Sequence, residues 1–143
     1  MRLTFVNQTS YAMPRAVIRK DVARILRSLG RRRLHLAEVT IACVPDRVSE
    51  RLHRRFLKKR GPASVLSFSY GGAVGELVLA PGRIRREAAR EGVRSLVRLR
   101  RLIAHGMLHL LGHHHEESRR QAHVFEKFEQ KLLHTLKIHG INK

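Results

Sequence analysis

Residues 105–115 run His105, Gly106, Met107, Leu108, His109, Leu110, Leu111, Gly112, His113, His114, His115. Histidines four apart on an apolar helix stand one above the other. A glycine that can end the helix is followed at once by more histidines, so three imidazoles can converge on one ion. On a helical wheel of about 100° per residue, Leu96, Leu99, Ile103, Met107 and Leu110 gather on one side, with His105 and His109 roughly opposite. A helix from about Ser95 to Leu111 is predicted, with a buried stripe and a histidine face. Arg98 and Arg101 fall on that histidine face.

Ligand type indicates the kind of site. Three neutral imidazoles without a fourth protein ligand match a catalytic zinc centre, whose open position holds a water with its pKa lowered to about 7. His105 and His109 supply two ligands; His113, His114 and His115 all compete for the third place, and spacing does not choose among them. A thiolate cluster and an intramolecular disulfide are excluded, because Cys43 is the only cysteine. Cys43 reads as a packed strand residue, since Ala37, Val39, Ile41 and Cys43 alternate onto one face. Metallopeptidases with two helical histidines carry a glutamate directly after the first, and here that place is Gly106. Peptide hydrolysis is therefore disfavoured.

Charge points to a polyanion. The 30 Lys and Arg against 11 Asp and Glu leave +19 with histidines neutral, and the isoelectric point near 11.7 is typical of proteins that bind nucleic acid. The basic residues are spread over several segments rather than gathered on one amphipathic anchor helix, so no membrane partner is expected. Residues 1–6 lack the longer apolar run of a signal peptide, and a cytoplasmic location is expected. At 143 residues, 43% of them hydrophobic, one domain spanning 1–143 with a real core is expected.

Outward from the histidine helix, the chain reads as alternating strands and helices. Residues 2–7 form a strand, Met13 to Leu29 an amphipathic helix closed by Gly30, and His35 to Val44 a second strand. Asp46 is placed to N-cap a helix through about Lys59, whose outer face carries Arg51, Arg54, Arg55, Lys58 and Lys59. Val65 to Ser69 and Glu76 to Ala80 are strands joined by a turn at residues 70–73. Pro81 and Gly82 open an arginine-rich helix broken near Gly92. A last helix from about Glu117 to Ile138 carries the core stripe Phe125, Phe128, Leu132 and Leu136, read as packing and not as a base-stacking platform. The pattern predicts an α+β fold with one small sheet.

These residues resemble the YbeY family of bacterial metal-dependent endoribonucleases. Its hallmark is His, Gly, any residue, Leu, His, Leu, any residue, Gly, Tyr, Asp, His, and residues 105–115 reproduce it without a gap except at the Tyr and Asp positions. Pro62, Val65, Leu66, Ser67 and Phe68 sit where the family has a Pro, Thr, Asp, Val, Leu, Ser, Phe run, and Gly75 to Leu79 resembles its Gly, Asp, Ile strand. The resemblance implies His105, His109 and His115 as ligands of one zinc ion. It implies a single zincin-like domain, a small mixed sheet packed by helices round a central metal-binding helix. It also implies cleavage of single-stranded RNA in ribosomal RNA maturation and ribosome quality control, with small-subunit proteins as further partners. The departures are His113 and His114 for the Tyr and Asp, Leu57 for an arginine, and Ala63 and Ser64 for the Thr and Asp. Arg55 or Lys58 is positioned to take over the arginine's task.

The expected chemistry is metal-assisted phosphodiester cleavage. His114, with an unperturbed pKa near 6.5, is the candidate acid or base, with Glu116 and Glu117 as alternatives. Arg54, Arg55, Lys58, Arg98 and Arg101 are the candidate RNA contacts. The competing reading is a ribosome-associated RNA-binding protein with a structural metal and no catalysis.

Overall fold

A computed structural model describes residues 1–29, 36–71, 73–112 and 119–138. The elements follow in the order β1 (Arg2–Asn7), α1 (Arg15–Leu29), β2 (Glu38–Cys43), α2 (Asp46–Leu57), β3 (Val65–Tyr70), β4 (Val74–Leu79), α3 (Pro81–Glu91), α4 (Ser95–Leu110) and α5 (Arg119–Thr135). The expected α+β fold with one small mixed sheet is present. Its strand order is β1-β2-β4-β3, with β1, β2 and β4 parallel and β3 antiparallel to β4 as a hairpin. Among the described residues no helix is long and apolar enough to cross a membrane.

Period-2 alternation divides each strand between two faces. Val39, Ile41 and Cys43 of β2 and Leu77 and Leu79 of β4 point into the main core, where all five are fully buried. Ile18, Val22 and Ile25 of α1, Leu99, Ile103 and Met107 of α4 and Phe125 and Leu132 of α5 meet them there. On the opposite face Val44, Leu66 and Val78 form a smaller cluster with Val48 and Leu52 of α2.

α4 is the central helix. It packs against α1, α3, α5 and strands β3 and β4, so Leu102, Ala104, Gly106 and Leu108 are buried as well as Leu99, Ile103, Met107 and Leu110 of the predicted stripe, while Leu96 is partly buried against the core. The two-faced wheel was too simple, because a helix surrounded on most sides buries most sides. Glycine permits the close approach at two points: a β-carbon on Gly106 would stand 2.7 Å from Leu77 Cδ2, and one on Gly75 would stand 2.9 Å from the Leu110 methyls.

Asp46 does not cap α2. The N-cap is Pro45, without a side-chain cap bond, and the Asp46 carboxylate instead accepts a hydrogen bond from Arg86 of α3. Ser49, buried inside α2, accepts from the Ala63 N–H at 3.0 Å and donates to the Ala63 carbonyl at 2.6 Å. That pair fixes the chain entering β3. A buried Asp21 on α1 accepts two hydrogen bonds from Arg100 of α4, at 2.8 and 3.0 Å, and Arg100 also donates to the Leu136 carbonyl at 3.1 Å. One guanidinium thereby ties together α1, α4 and the chain just beyond α5.

Candidate metal centre

His105 and His109 lie in the last turns of α4, each half-buried. Helical spacing stacks them, and their Nε2 atoms stand 3.1 Å apart, the rings meeting edge to face with centroids 4.8 Å apart. Helix α5 supplies the wall behind them. Phe125 sets its ring 5.1 Å from that of His105 and 5.0 Å from that of His109. Glu129, one turn further on, places Oε2 2.8 Å from Nδ1 of His105.

Two convergent imidazoles fit the donor chemistry of zinc, and a carboxylate behind one of them is the usual companion of a ligating histidine. Among the described residues no group of three potential ligands occurs. The expected third ligand His115, the candidate acid or base His114, and His113, Glu116 and Glu117 all lie outside the described residues. Cys43 belongs to the core, as expected, and burial pushes its thiol up to about 11. Gly106 turns toward the sheet, with Leu77 and Ser67 as the nearest neighbours of any side chain placed there. A metallopeptidase-type glutamate has no room at this position.

The arginines expected at RNA fall into two settings. Arg54, Arg55 and Lys58 are exposed at the C-terminal end of α2, where Lys58 takes a left-handed conformation as C-cap. They surround Phe56 and Leu57, both about half exposed, and Arg55 lies over the Phe56 ring at 5.4 Å. Arg98 and Arg101 are instead engaged with carboxylates of α3. Arg98 donates to Glu87 at 2.9 and 3.2 Å, and Glu91 lies 3.7 Å from Arg98 and 3.6 Å from Arg101.

Electrostatics in this layer follow from those pairs. Burial alone would raise the Glu87 carboxyl, but the hydrogen bonds and charge of Arg98 with the bond from Arg83 outweigh it and hold Glu87 below the usual carboxylate range. Burial, reinforced by repulsion from Arg98, lowers the Arg101 guanidinium, while Glu91 and Glu129 act in the other direction.

Glu129 was missed by reasoning from sequence. Its signal was a carboxylate following Phe128 and one turn beyond Phe125, at the edge of an otherwise apolar stripe.

The family model described as Endoribonuclease YbeY matches residues 4–137. A protein named Endoribonuclease YbeY from Bdellovibrio bacteriovorus is 30% identical over 129 residues, covering 85% of this chain and 86% of that one. Its namesake from Kineococcus radiotolerans is 30% identical over 140 residues, covering 87% and 81%. A third, from Thermodesulfovibrio yellowstonii, is 32% identical over 106 residues, covering 69% and 67%. In fold, the chain is similar to a solution structure of a protein from Thermotoga maritima, with a TM-score of 0.62 at 16% identity over 94% of this chain and 91% of that one.

Proposed function

Because this chain belongs to the YbeY family of endoribonucleases, hydrolases acting on RNA, we propose that it cleaves single-stranded ribosomal RNA at a three-histidine zinc site. His105, His109 and His115 would hold the ion, and the work would belong to ribosomal RNA maturation and ribosome quality control in the cytoplasm. The observation that carries this reading is the 3.1 Å approach of the His105 and His109 Nε2 atoms at the half-buried end of α4.

When bound, zinc would supply a Lewis acid beside the scissile phosphate and lower the pKa of a water there. The chain's own residues do the rest. Arg54, Arg55 and Lys58 draw the phosphate backbone to the exposed end of α2, since the sequence carries a net +19. His114, next in sequence to the proposed third ligand His115, would accept or donate a proton near neutral pH, where an ordinary imidazole changes charge. Gly106 keeps the helix against the sheet, holding both described histidines on a rigid element.

A time course on labelled single-stranded RNA tests the reading, using wild type, His109→Ala, His105→Ala and His114→Ala, with and without a chelator. Wild type should cleave, chelator should stop it, and His109→Ala should lose both cleavage and bound metal. Loss in His114→Ala with metal retained would support its proton-transfer role. Equal cleavage by wild type and His105→Ala would expose a contaminant. Absence of cleavage with several metals would favour RNA binding without catalysis.

A further inference from the structure

We infer that Glu129 is a positioning residue for the histidine pair: its carboxylate holds the proton of His105 on Nδ1 and leaves Nε2 as the nitrogen that faces the ion. This assignment rests on the metal reading above.

The argument begins with the 2.8 Å contact between Glu129 Oε2 and His105 Nδ1. An ionised carboxylate can only accept, so the contact requires a proton on Nδ1. A neutral imidazole carries one proton, which leaves a lone pair on Nε2. That same Nε2 lies 3.1 Å from Nε2 of His109. With that lone pair on His105, the contact is a hydrogen bond donated by the Nε2–H of His109, and the two Nε2 atoms are the ones that would hold an ion in the proposed site.

The orientation is built in. The Glu129 side chain is only 22% exposed, and it stands one helical turn from Phe125, whose ring contacts both imidazoles. Helix α5 thus delivers an apolar wall and a hydrogen-bond acceptor to the same pair of rings. A carboxylate in this place fixes tautomer and ring angle and raises the basicity of the opposite nitrogen. A plain ion pair with protonated His105 would give the same distance, but it would leave a proton on both nitrogens.

Two readouts separate these cases in the full-length chain. Zinc affinity, measured by competition with a chromophoric chelator, should weaken about 10- to 100-fold in Glu129→Ala. Glu129→Gln should lose less, because its amide oxygen still accepts from Nδ1–H, and it keeps the test available should the alanine variant fold poorly. Imidazole nitrogen NMR of the metal-free protein at pH 8, assigned through the signals lost in His105→Ala, should show His105 protonated on Nδ1 alone. In Glu129→Ala the proton should shift toward Nε2. Equal zinc affinity in wild type and Glu129→Ala, or a wild-type His105 carrying its proton on Nε2, would overturn the inference. A wild type that takes up no zinc yet shows the Nδ1–H form would overturn the metal reading and uphold the orientation by Glu129.

Discussion

Gly106 lies so close to Leu77 that a β-carbon on it would stand 2.7 Å from Cδ2 and 3.3 Å from Cδ1 of that leucine, with Ser67 Oγ also at 3.3 Å. Leu77 is fully buried, so its methyls have little space to retreat. The contact seats α4 on the sheet and sets the depth of the two histidines that flank this glycine in sequence.

Gly106→Ala should therefore destabilise the fold. Overpacking costs about 1–3 kcal/mol, and the better helix propensity of alanine returns at most about 1. A net loss of about 1 kcal/mol, read from urea denaturation midpoints, is expected, and Gly106→Glu should fail to fold. An alanine variant more stable than wild type would show that the helix can lift off the sheet.

Arg100 is the partner of a carboxylate that is 2% exposed as a residue, Asp21. Arg100→Met leaves that carboxylate buried without its partner and should cost about 3 kcal/mol. Combining it with Asp21→Leu should recover much of the loss, because two apolar side chains carry no desolvation penalty. Denaturation of the single and double variants checks both statements; additive losses would contradict the pairing.

Cys43 makes a pH prediction. Its thiol is pushed from an ordinary 9.0 to about 11 by burial, so the unfolded chain gives up this proton first as pH rises. The folded state holds more protons between those values, and stability falls across the window from about pH 9 to about pH 11, by about 2 kcal/mol. The stability difference between wild type and Cys43→Ala should move by that amount over the window. A difference independent of pH would refute it. At neutral pH a chromogenic disulfide reagent should label Cys43 only after unfolding.

Charge on the end of α2 should show in salt dependence. Each phosphate neutralised on a single strand releases about 0.7 counterion, so removing Arg54, Arg55 and Lys58 together should reduce the slope of log affinity against log salt by about 2. Arg98→Ala, which breaks the pairs with Glu87 and Glu91, should leave the slope in place and lower stability by about 1 kcal/mol. Filter binding at several salt concentrations decides between the two surfaces.

Much of this molecule is written locally. Alternation in Val39, Ile41 and Cys43, the turn between β3 and β4, and the four-residue spacing of His105 and His109 each depend on the geometry of one element, so the sequence by itself determined them. Element ends shifted by a few residues: α1 begins at Arg15 rather than Met13, and β2 at Glu38 rather than His35. Asp46 was read as a cap because its neighbours in the chain suggested it, yet Arg86, 40 residues away, takes its carboxylate. Arg98 and Arg101 share the histidine side of a wheel, but α3 docks there and its glutamates claim them. Glu129 reaches His105 across 24 residues of sequence only because α5 lies against α4. Periodicity fixes the direction a side chain takes from its own helix; which groups it meets depends on how buried surfaces from distant segments pack, and only the tertiary structure decided that.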